Sequence, residues 1–502
     1  MEFIIGLDIG CTELKVLMFD KEGNIIARSS SELKLIIKND FIECDFEEYF
    51  KILLKNLKEV VAKSRVDPKK IKGISISSQA GTFVLTDKNF VPLDSGISWA
   101  DNRAATQAKK INDHFGVDFL YNNTGLPELF ANSTAPKILW IKENRKDLFN
   151  KTAHIFLVED YMGYRLSAKS TINGSLATST GMFNIIKYKW QEEILSFLGI
   201  REEMLSIPDY CENIKGYISK EISKETGLST KTIISTGGMD QMFCAVGAGN
   251  IRPGIVTENT GSVTAVMVTL KNLMHDPKKL LQCYCHAVKG KYIFMPYNNA
   301  AAVCLRWFRD EFCEKEVEIS EREGKNIFDL LTEKAAKIPP GSEGITFLPH
   351  LQGSTFPEMN LNAKGIFFGF SLGTKKAHFI RAILEGVSYS IRNLIKMLED
   401  MGLPTSEIRS IGGTSKSDAW SQIKADIIGK PLNKMRVEDS GCLGAAIFGG
   451  VASGVFESVE EAVDSLVKKD KIYVPDIRYR DIYEEGFRKY NLLYKSVEDL
   501  FN

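Results

Sequence analysis

The chain has 502 residues, 44% of them hydrophobic and 25% charged, and 64 basic side chains balance 64 acidic ones to a formal charge of zero. That length accommodates at least two domains with full cores, and the neutral balance argues against nucleic acid as the main partner, since phosphate backbones select a basic footprint. No apolar run approaches the roughly 20 residues needed to cross a bilayer, so no membrane partner is expected.

The opening stretch, Met1-Glu2-Phe3-Ile4-Ile5-Gly6, lacks a basic n-region and reads as a strand rather than a signal peptide. Residues 3 to 36 read as a β-meander, with Asp8-Ile9-Gly10-Cys11-Thr12-Glu13 as the turn between its first two strands. Phe50, Leu53, Leu54, Leu57, Val60 and Val61 recur at helical spacing over 46–63. Ile71 to Ile76 is a strand ending in Ser77-Ser78-Gln79-Ala80-Gly81, and a strand pair is expected around Asp87-Lys88-Asn89. After Trp99-Ala100-Asp101-Asn102-Arg103 a polar helix begins at Ala104. Residues 136–166 read as helical around one strand, His154 to Leu157, with Asp160 starting the second helix.

A short β run at Thr232, Ile233 and Ile234 then enters Gly237-Gly238-Met239-Asp240-Gln241, followed by a helix. Two glycines permit backbone conformations that present Asp240 at a tight strand-to-helix corner. Such a carboxylate is either a helix N-cap or a general base. Gly247 to Gly254 carries three glycines and a proline and reads as a linker, giving an N-terminal domain of 1–246 and a C-terminal domain of 255–502.

Directly after the linker the opening pattern recurs: strand Ile255 to Glu258, turn Asn259-Thr260-Gly261-Ser262, strand Thr264 to Leu270. Two similar domains, each offering one turn to a shared cleft, are expected. Cys283-Tyr284-Cys285-His286 reads as a strand with alternating faces, because no second Cys/His pair follows at metal-finger spacing. Nine cysteines, an odd set scattered through apolar segments, read as free and mostly buried thiols of a reducing cytoplasm. Arg306 and Trp307 fall on a helix, Phe347 to Gly353 on a loop, and Ala377 to about Leu398 on a long amphipathic helix. Strand Ile408 to Ile411 ends in Gly412-Gly413-Thr414-Ser415-Lys416-Ser417, which opens a helix through Trp420. Small residues crowd Gly441 to Gly454 and predict a helix packed tightly on a neighbour.

Three glycine-hydroxyl turns, at Gly10, Gly261 and Gly412-Gly413, each follow an apolar strand. Backbone N–H groups at such turns suit phosphate oxygens. Neither G-x-x-x-x-G-K-[ST] nor an early G-x-G-x-x-G is present, which excludes a P-loop enzyme.

With these segments in order, the chain resembles the FGGY carbohydrate kinase family over essentially its whole length. Asp8-Ile9-Gly10-Cys11-Thr12 through Lys15 resembles the family's first phosphate loop, and Gly237-Gly238-Met239-Asp240-Gln241 its catalytic segment. Lys137 to Asn144 resembles one family signature, and Gly365 to Gly369 with His378 to Glu385 the other. Gly412-Gly413 through Ser417, Trp420, Gln422 and Asp426 resembles the adenosine-side segment.

The resemblance implies an α/β fold of two ribonuclease H-like (actin/hexokinase-like ATPase) domains, with a nucleotide- and sugar-binding cleft between them. It implies a cytoplasmic kinase that transfers the γ-phosphate of ATP to a hydroxyl of a small sugar, most closely a pentulose such as xylulose. Ribulose, erythritol and gluconate are the alternative acceptors, and a sugar-independent actin-like ATPase is the remote one. Asp240 would be the general base. Asp8 and Asp240 would hold Mg²⁺ through water. Gly10, Cys11, Thr12, Lys15, Thr260, Gly261 and Ser262 would line the phosphates, with Ala302, Arg306, Gly412, Gly413 and Ser417 on the adenosine side. Gln79, Ala80, Gly81, Trp99, Asp101, Arg103, Asn132 and Gln241 would form the sugar side. A homodimer is implied by analogy alone.

The sequence departs from the family at two places. Ala80 and Gly81 stand where xylulose kinases have Met-His and glycerol kinases Arg-Glu, leaving extra room that Thr82 or Phe83 could fill. Cys11 stands where the family usually has threonine, a stronger hydrogen-bond donor than a thiol. Two readings stay open between structure and function. Lys15 is a solvated strand residue or a phosphate contact. Asp101 with Arg103 is a sugar contact or a salt bridge fixing a loop. Trp140 and Trp420 are expected in the core.

Overall fold

The computed structural model describes residues 1–299 and 301–501. They gather into two compact units, each discontinuous in sequence. The first comprises Met1–Ile251, Leu270–Phe294 and Asp439–Lys468; the second comprises Arg252–Thr269, Met295–Glu438 and the chain from Lys469 onward. The change of unit after Ile251 falls inside the glycine-rich stretch 247–254. The contiguous halves drawn from the sequence are nevertheless crossed, because two later segments return to the first unit.

The first unit is built on a sheet ordered Ile214–Tyr217, Ile233–Ser235, Ile71–Ser78, Phe3–Ile9, Glu13–Phe19, Ile25–Glu32. Phe3–Ile9 runs antiparallel to Glu13–Phe19 and parallel to Ile71–Ser78, so Asp8 stands opposite Lys15 on one side and Ser77 on the other. Every residue of this strand is buried except Asp8, the pattern of an inner strand covered on both faces. Helix Phe46–Ser64 packs into the same core through Phe50, Leu53, Leu57 and Val60. Asp45 starts it by accepting the N–H groups of Glu47 and Glu48 at 2.9 and 3.1 Å.

Helix Ser440–Ala452, from the far end of the sequence, packs on strands Phe3–Ile9 and Ile71–Ser78 and on helix Asp240–Gly247. Its small side chains are a requirement of that approach. A Cβ at Gly444 would lie 2.0 Å from the carbonyl oxygen of Phe243, and one at Gly441 would lie 2.9 Å from the carboxyl group of Asp8.

The second unit repeats the opening device. Gly254–Thr260 runs antiparallel to Thr264–Leu270 and parallel to Thr405–Ile411, which places Glu258 opposite Ser410. Leu432–Met435 and Lys469–Tyr473 extend this sheet beyond Thr405–Ile411. The long helix Lys376–Asp400 packs on helix Asp418–Ile428.

Several local expectations are corrected. The return strand after Asp87-Lys88-Asn89 is a single bridge, Thr86 to Pro92. Thr346–Leu348 pairs with Ile366–Phe368, so the segment read as a loop opens with a strand. The second helix near Asp160 starts at Val158, and Asp160 is buried inside it, accepting the Ser206 hydroxyl at 2.5 Å. Cys283–Cys285 is a strand buried on both faces, so nothing alternates to solvent. Gly413–Lys416 forms a 3₁₀ turn before helix Asp418–Ile428, with Ser417 as its N-cap. All nine cysteines are free thiols, and Cys11 and Cys244 are the two not fully buried. Among the described residues, no helix is long and apolar enough to cross a membrane.

Candidate active site

The corner leading to Asp240 is held by buried groups. Neither Gly237 nor Gly238 adopts a left-handed φ; glycine is needed at 237 for space, since a Cβ there would fall 2.1 Å from the Ile76 carbonyl oxygen. The Gly237 N–H donates to Glu159 Oε1 at 3.0 Å, and that carboxylate is ion-paired with Lys215 at 2.6 Å, both side chains fully buried. The Met239 N–H donates to Ser175 Oγ at 3.2 Å. The helix Asp240–Gly247 takes Met239 as its N-cap, so Asp240 is the first helical residue rather than the cap. Its Oδ1 accepts the N–H of Gln241 at 2.7 Å.

Removal of the Asp240 carboxyl from water, reinforced by the charge of Asp8, raises its pKa to about 7 against the opposing Gln241 N–H. Asp8 is also shifted upward by burial, although the Ser77 hydroxyl donates to its Oδ1 at 2.7 Å. Asp8 forms no ion pair among the described residues. Lys15, opposite it, pairs with Asp439 at 3.0 Å and with Glu13 at 3.5 Å. Burial would lower the Lys15 pKa, but Asp439 outweighs it and the ammonium is held above its usual range. The charge of Lys15 is thus already engaged, by a residue with no signal in the local sequence.

The Trp99 loop lies beside this corner in the first unit. The Trp99 indole Nε1 donates to Cys11 Sγ at 2.7 Å, and its ring stays 40% exposed. Burial, opposed by that indole and assisted by Asp240, pushes the Cys11 thiol up to about 11, so it stays protonated at neutral pH. A Cβ on Gly81 would sit 3.3 Å from Trp99 Cβ and 3.6 Å from the Asn132 carbonyl oxygen, which brings Gly81, Trp99 and Asn132 together. Gly81 therefore offers no spare room; its missing side chain lets the Trp99 loop approach. Thr82 and Phe83 are buried, while Ala80 is half-buried.

Three residues expected on the sugar side are turned inward. Asp101 is fully buried and accepts four donors: Arg103 Nε at 2.8 Å, an Arg103 terminal nitrogen at 2.7 Å, and the N–H groups of Ile42 at 2.7 Å and Arg103 at 2.9 Å. Arg103 also reaches Glu43 at 3.0 Å and lies over the Phe41 ring at 3.9 Å. The salt bridge that fixes a loop is the arrangement present. Gln79, 2% exposed, donates from Nε2 to the Gly10 carbonyl at 3.1 Å. Beneath the loop the buried Lys137 ammonium donates to the Ser98 carbonyl at 2.7 Å, and burial draws its pKa down to about 7.

In the second unit, Gly261, Ser262, Ala302, Arg306, Gly413 and Ser417 line one pocket of about 400 Å³. Asn326, Phe328, Asp329 and Thr332, on helix Ile327–Ala336 and its cap, line it too. Sequence reading missed them, since nothing but a polar N-cap marks that helix. Arg306 donates to Ser262 Oγ at 3.3 Å. Thr260 differs from expectation: it is fully buried, and its hydroxyl donates to Glu258. Gly412 stands behind the pocket, where a Cβ would meet Asn259 Oδ1 at 2.7 Å. Trp420 is buried, 3% exposed, with its indole donating to the Leu384 carbonyl at 3.2 Å, yet it also lines this pocket, so the core position expected of it does not separate it from the site. Trp140 is half-buried, edge-on to Phe41.

Two units with one repeated strand-turn-strand device, an acidic corner in one and a glycine-hydroxyl pocket in the other, define a sugar-kinase type of ATPase fold. The chain belongs to the FGGY family of carbohydrate kinases: the family's N-terminal domain matches residues 3–247 and its C-terminal domain residues 259–453. It is 30% identical over 500 residues to a xylulose kinase of Staphylococcus epidermidis, covering 99% of this chain and 98% of that protein. It is 32% identical over 466 residues to a gluconokinase of Bacillus subtilis, covering 92% and 90%. A xylulose kinase structure from Lactobacillus acidophilus superposes with a TM-score of 0.88 at 25% identity, covering 99% of both chains.

Proposed function

We propose that this carbohydrate kinase phosphorylates a hydroxyl of a small uncharged sugar, most closely a pentulose such as xylulose, at the expense of ATP. The observation that carries the proposal is the Asp240 carboxyl at the start of helix Asp240–Gly247, its corner fixed by hydrogen bonds to Glu159 and Ser175 and its pKa raised to about 7 by burial and the charge of Asp8. A carboxylate of that basicity accepts the proton of an attacking alcohol near neutral pH. Asp8 and Asp240, both raised by burial and with no ion pair on Asp8 among the described residues, would suit a hydrated divalent cation. Bound there, Mg²⁺ supplies neutralisation of the charge on the transferred phosphoryl group. Gly261, Ser262 and Gly413 would meet phosphate, and Ala302, Arg306 and Ser417 the adenosine.

Charge separates the candidate acceptors. The basic side chains of Arg103 and Lys137 are buried and occupied by Asp101, Glu43 and the Ser98 carbonyl, and burial draws the pKa of Lys137 down as well. An aldonate carboxylate would find neither of them available, whereas a neutral ketose can lie on the exposed Trp99 ring. The similarity to a gluconokinase keeps gluconate as the second reading. The test is ADP release with xylulose, ribulose, erythritol and gluconate in parallel. Xylulose is expected to give the highest kcat/KM. A preference for gluconate would overturn the charge argument, and no stimulation by any acceptor would overturn the substrate class.

A further inference from the structure

Two buried side chains join the first phosphate turn to the Trp99 loop. The backbone N–H of Trp99 donates to Thr82 Oγ1 at 2.9 Å, and that hydroxyl donates to Gln79 Oε1 at 3.2 Å. Gln79 Nε2 donates to the Gly10 carbonyl at 3.1 Å, and the Gln79 N–H to the Ile9 carbonyl at 2.9 Å. The indole of Trp99 closes the circuit on Cys11 at 2.7 Å. Thr82 is fully buried and Gln79 is 2% exposed, so neither side chain can touch a ligand. Lys137 fastens the same loop from beneath through the Ser98 carbonyl.

We propose that Thr82 and Gln79 are positioning residues that lock the Trp99 loop to the Gly10-Cys11 turn, so that the surface holding the sugar and the surface facing phosphate move as one piece. The ring is closed at both ends of the tryptophan, by its backbone through Thr82 and by its indole through Cys11. Breaking one link leaves the platform tethered at one end and free to tilt. Phosphoryl transfer depends on near-attack alignment, so a tilt raises the acceptor's KM and lowers kcat without disturbing nucleotide binding. The inference rests on Trp99 facing the sugar, as proposed above.

Thr82→Val keeps shape and removes both bonds of the hydroxyl; Thr82→Ser keeps them. Thr82→Val is expected to lower kcat/KM for the sugar by about tenfold with the KM for ATP unchanged, and to raise ATP hydrolysis per sugar phosphorylated, while Thr82→Ser behaves as wild type. Hydrogen exchange supplies a readout independent of turnover: Thr82→Val should speed exchange at both 9–12 and 98–101. Faster exchange at 98–101 alone, or a lower melting temperature with unchanged sugar kinetics and coupling, would overturn the linkage. If Thr82→Val does not fold, Cys11→Ala cuts the other end of the ring and must raise the sugar KM in the same direction; an unchanged value overturns the proposal. A wild-type protein inactive on every sugar would sink the substrate reading, and the exchange experiment would still decide the linkage.

Discussion

Asp8 and Glu258 occupy matching positions in the two units, each near the end of the first strand of its hairpin and each opposite a serine on the parallel neighbour. Ser77 donates to Asp8 at 2.7 Å, and Ser410 donates to Glu258 at 2.5 Å. There the likeness ends. Glu258 is fully buried against Lys424, whose ammonium reaches it at 2.8 Å, Ser410 Oγ at 2.9 Å and Thr414 Oγ1 at 3.2 Å. The charge of Asp8 acts on Asp240 instead, and the lysine opposite Asp8 pairs with Asp439. One register position thus serves two purposes. With a buried cation the acid ties the second unit's two glycine turns together; without one, Asp8 keeps a raised pKa and, on the function proposed above, would serve a metal.

The largest effect is expected on the acidic side. Asp240→Asn should lower kcat by roughly 10³ while ATP binding, followed by calorimetry, persists. Wild-type turnover in that variant would remove the general base from the comparison. On the fastened side the loss should appear as stability. Lys424→Met leaves Glu258 buried without its cation and should cost about 3–5 kcal/mol in denaturant unfolding, with Glu258→Met in the same chain restoring most of it. A cost below about 1 kcal/mol would make Glu258 something other than a fastener. Asp8→Asn sharpens the contrast, with kcat down by about 10- to 100-fold and no drop in melting temperature.

The smallest effect is a pH signature. The folded pKa of Asp240, about 7, lies above its ordinary value of 3.8, so the folded state holds the proton more tightly. Its contribution to stability is complete below about pH 4 and is lost as pH rises through 7. In EDTA, Asp240→Asn should therefore melt a few degrees higher than wild type at pH 8, with the gap closing at pH 5. Added Mg²⁺ should stabilise the wild type and narrow the gap at pH 8. A gap that widens toward low pH would contradict the raised pKa.

What the sequence made legible was what lies close along the chain. The repeated strand-turn-strand at Asp8 and Glu258 and the corner before Asp240 are local patterns, and the hairpins and the helix start are present. Six residues assigned to nucleotide do line one pocket. Burial inverted other assignments. Asp101 and Gln79 carry polar groups that suit sugar recognition, but Arg103 and the Ile42 N–H engage the first and the Gly10 carbonyl engages the second. Thr260 carries a hydroxyl at a phosphate turn, yet it points at Glu258. No spacing rule separates these cases, because side-chain type is the same whether a strand end faces inward or outward. Long-range partners left even less trace: Asp439 meets Lys15, and Gly441 meets Asp8, across most of the chain.

A nascent chain that has emerged as far as Ile251 holds the sheet and the acidic corner of the first unit but not helix Ser440–Ala452, which covers Phe3–Ile9 and Ile71–Ser78. About 200 further residues must be synthesised before that helix appears, which at 5–20 residues per second takes roughly 10–40 s. For that interval the ribosome carries an apolar surface with its intended cover still unwritten.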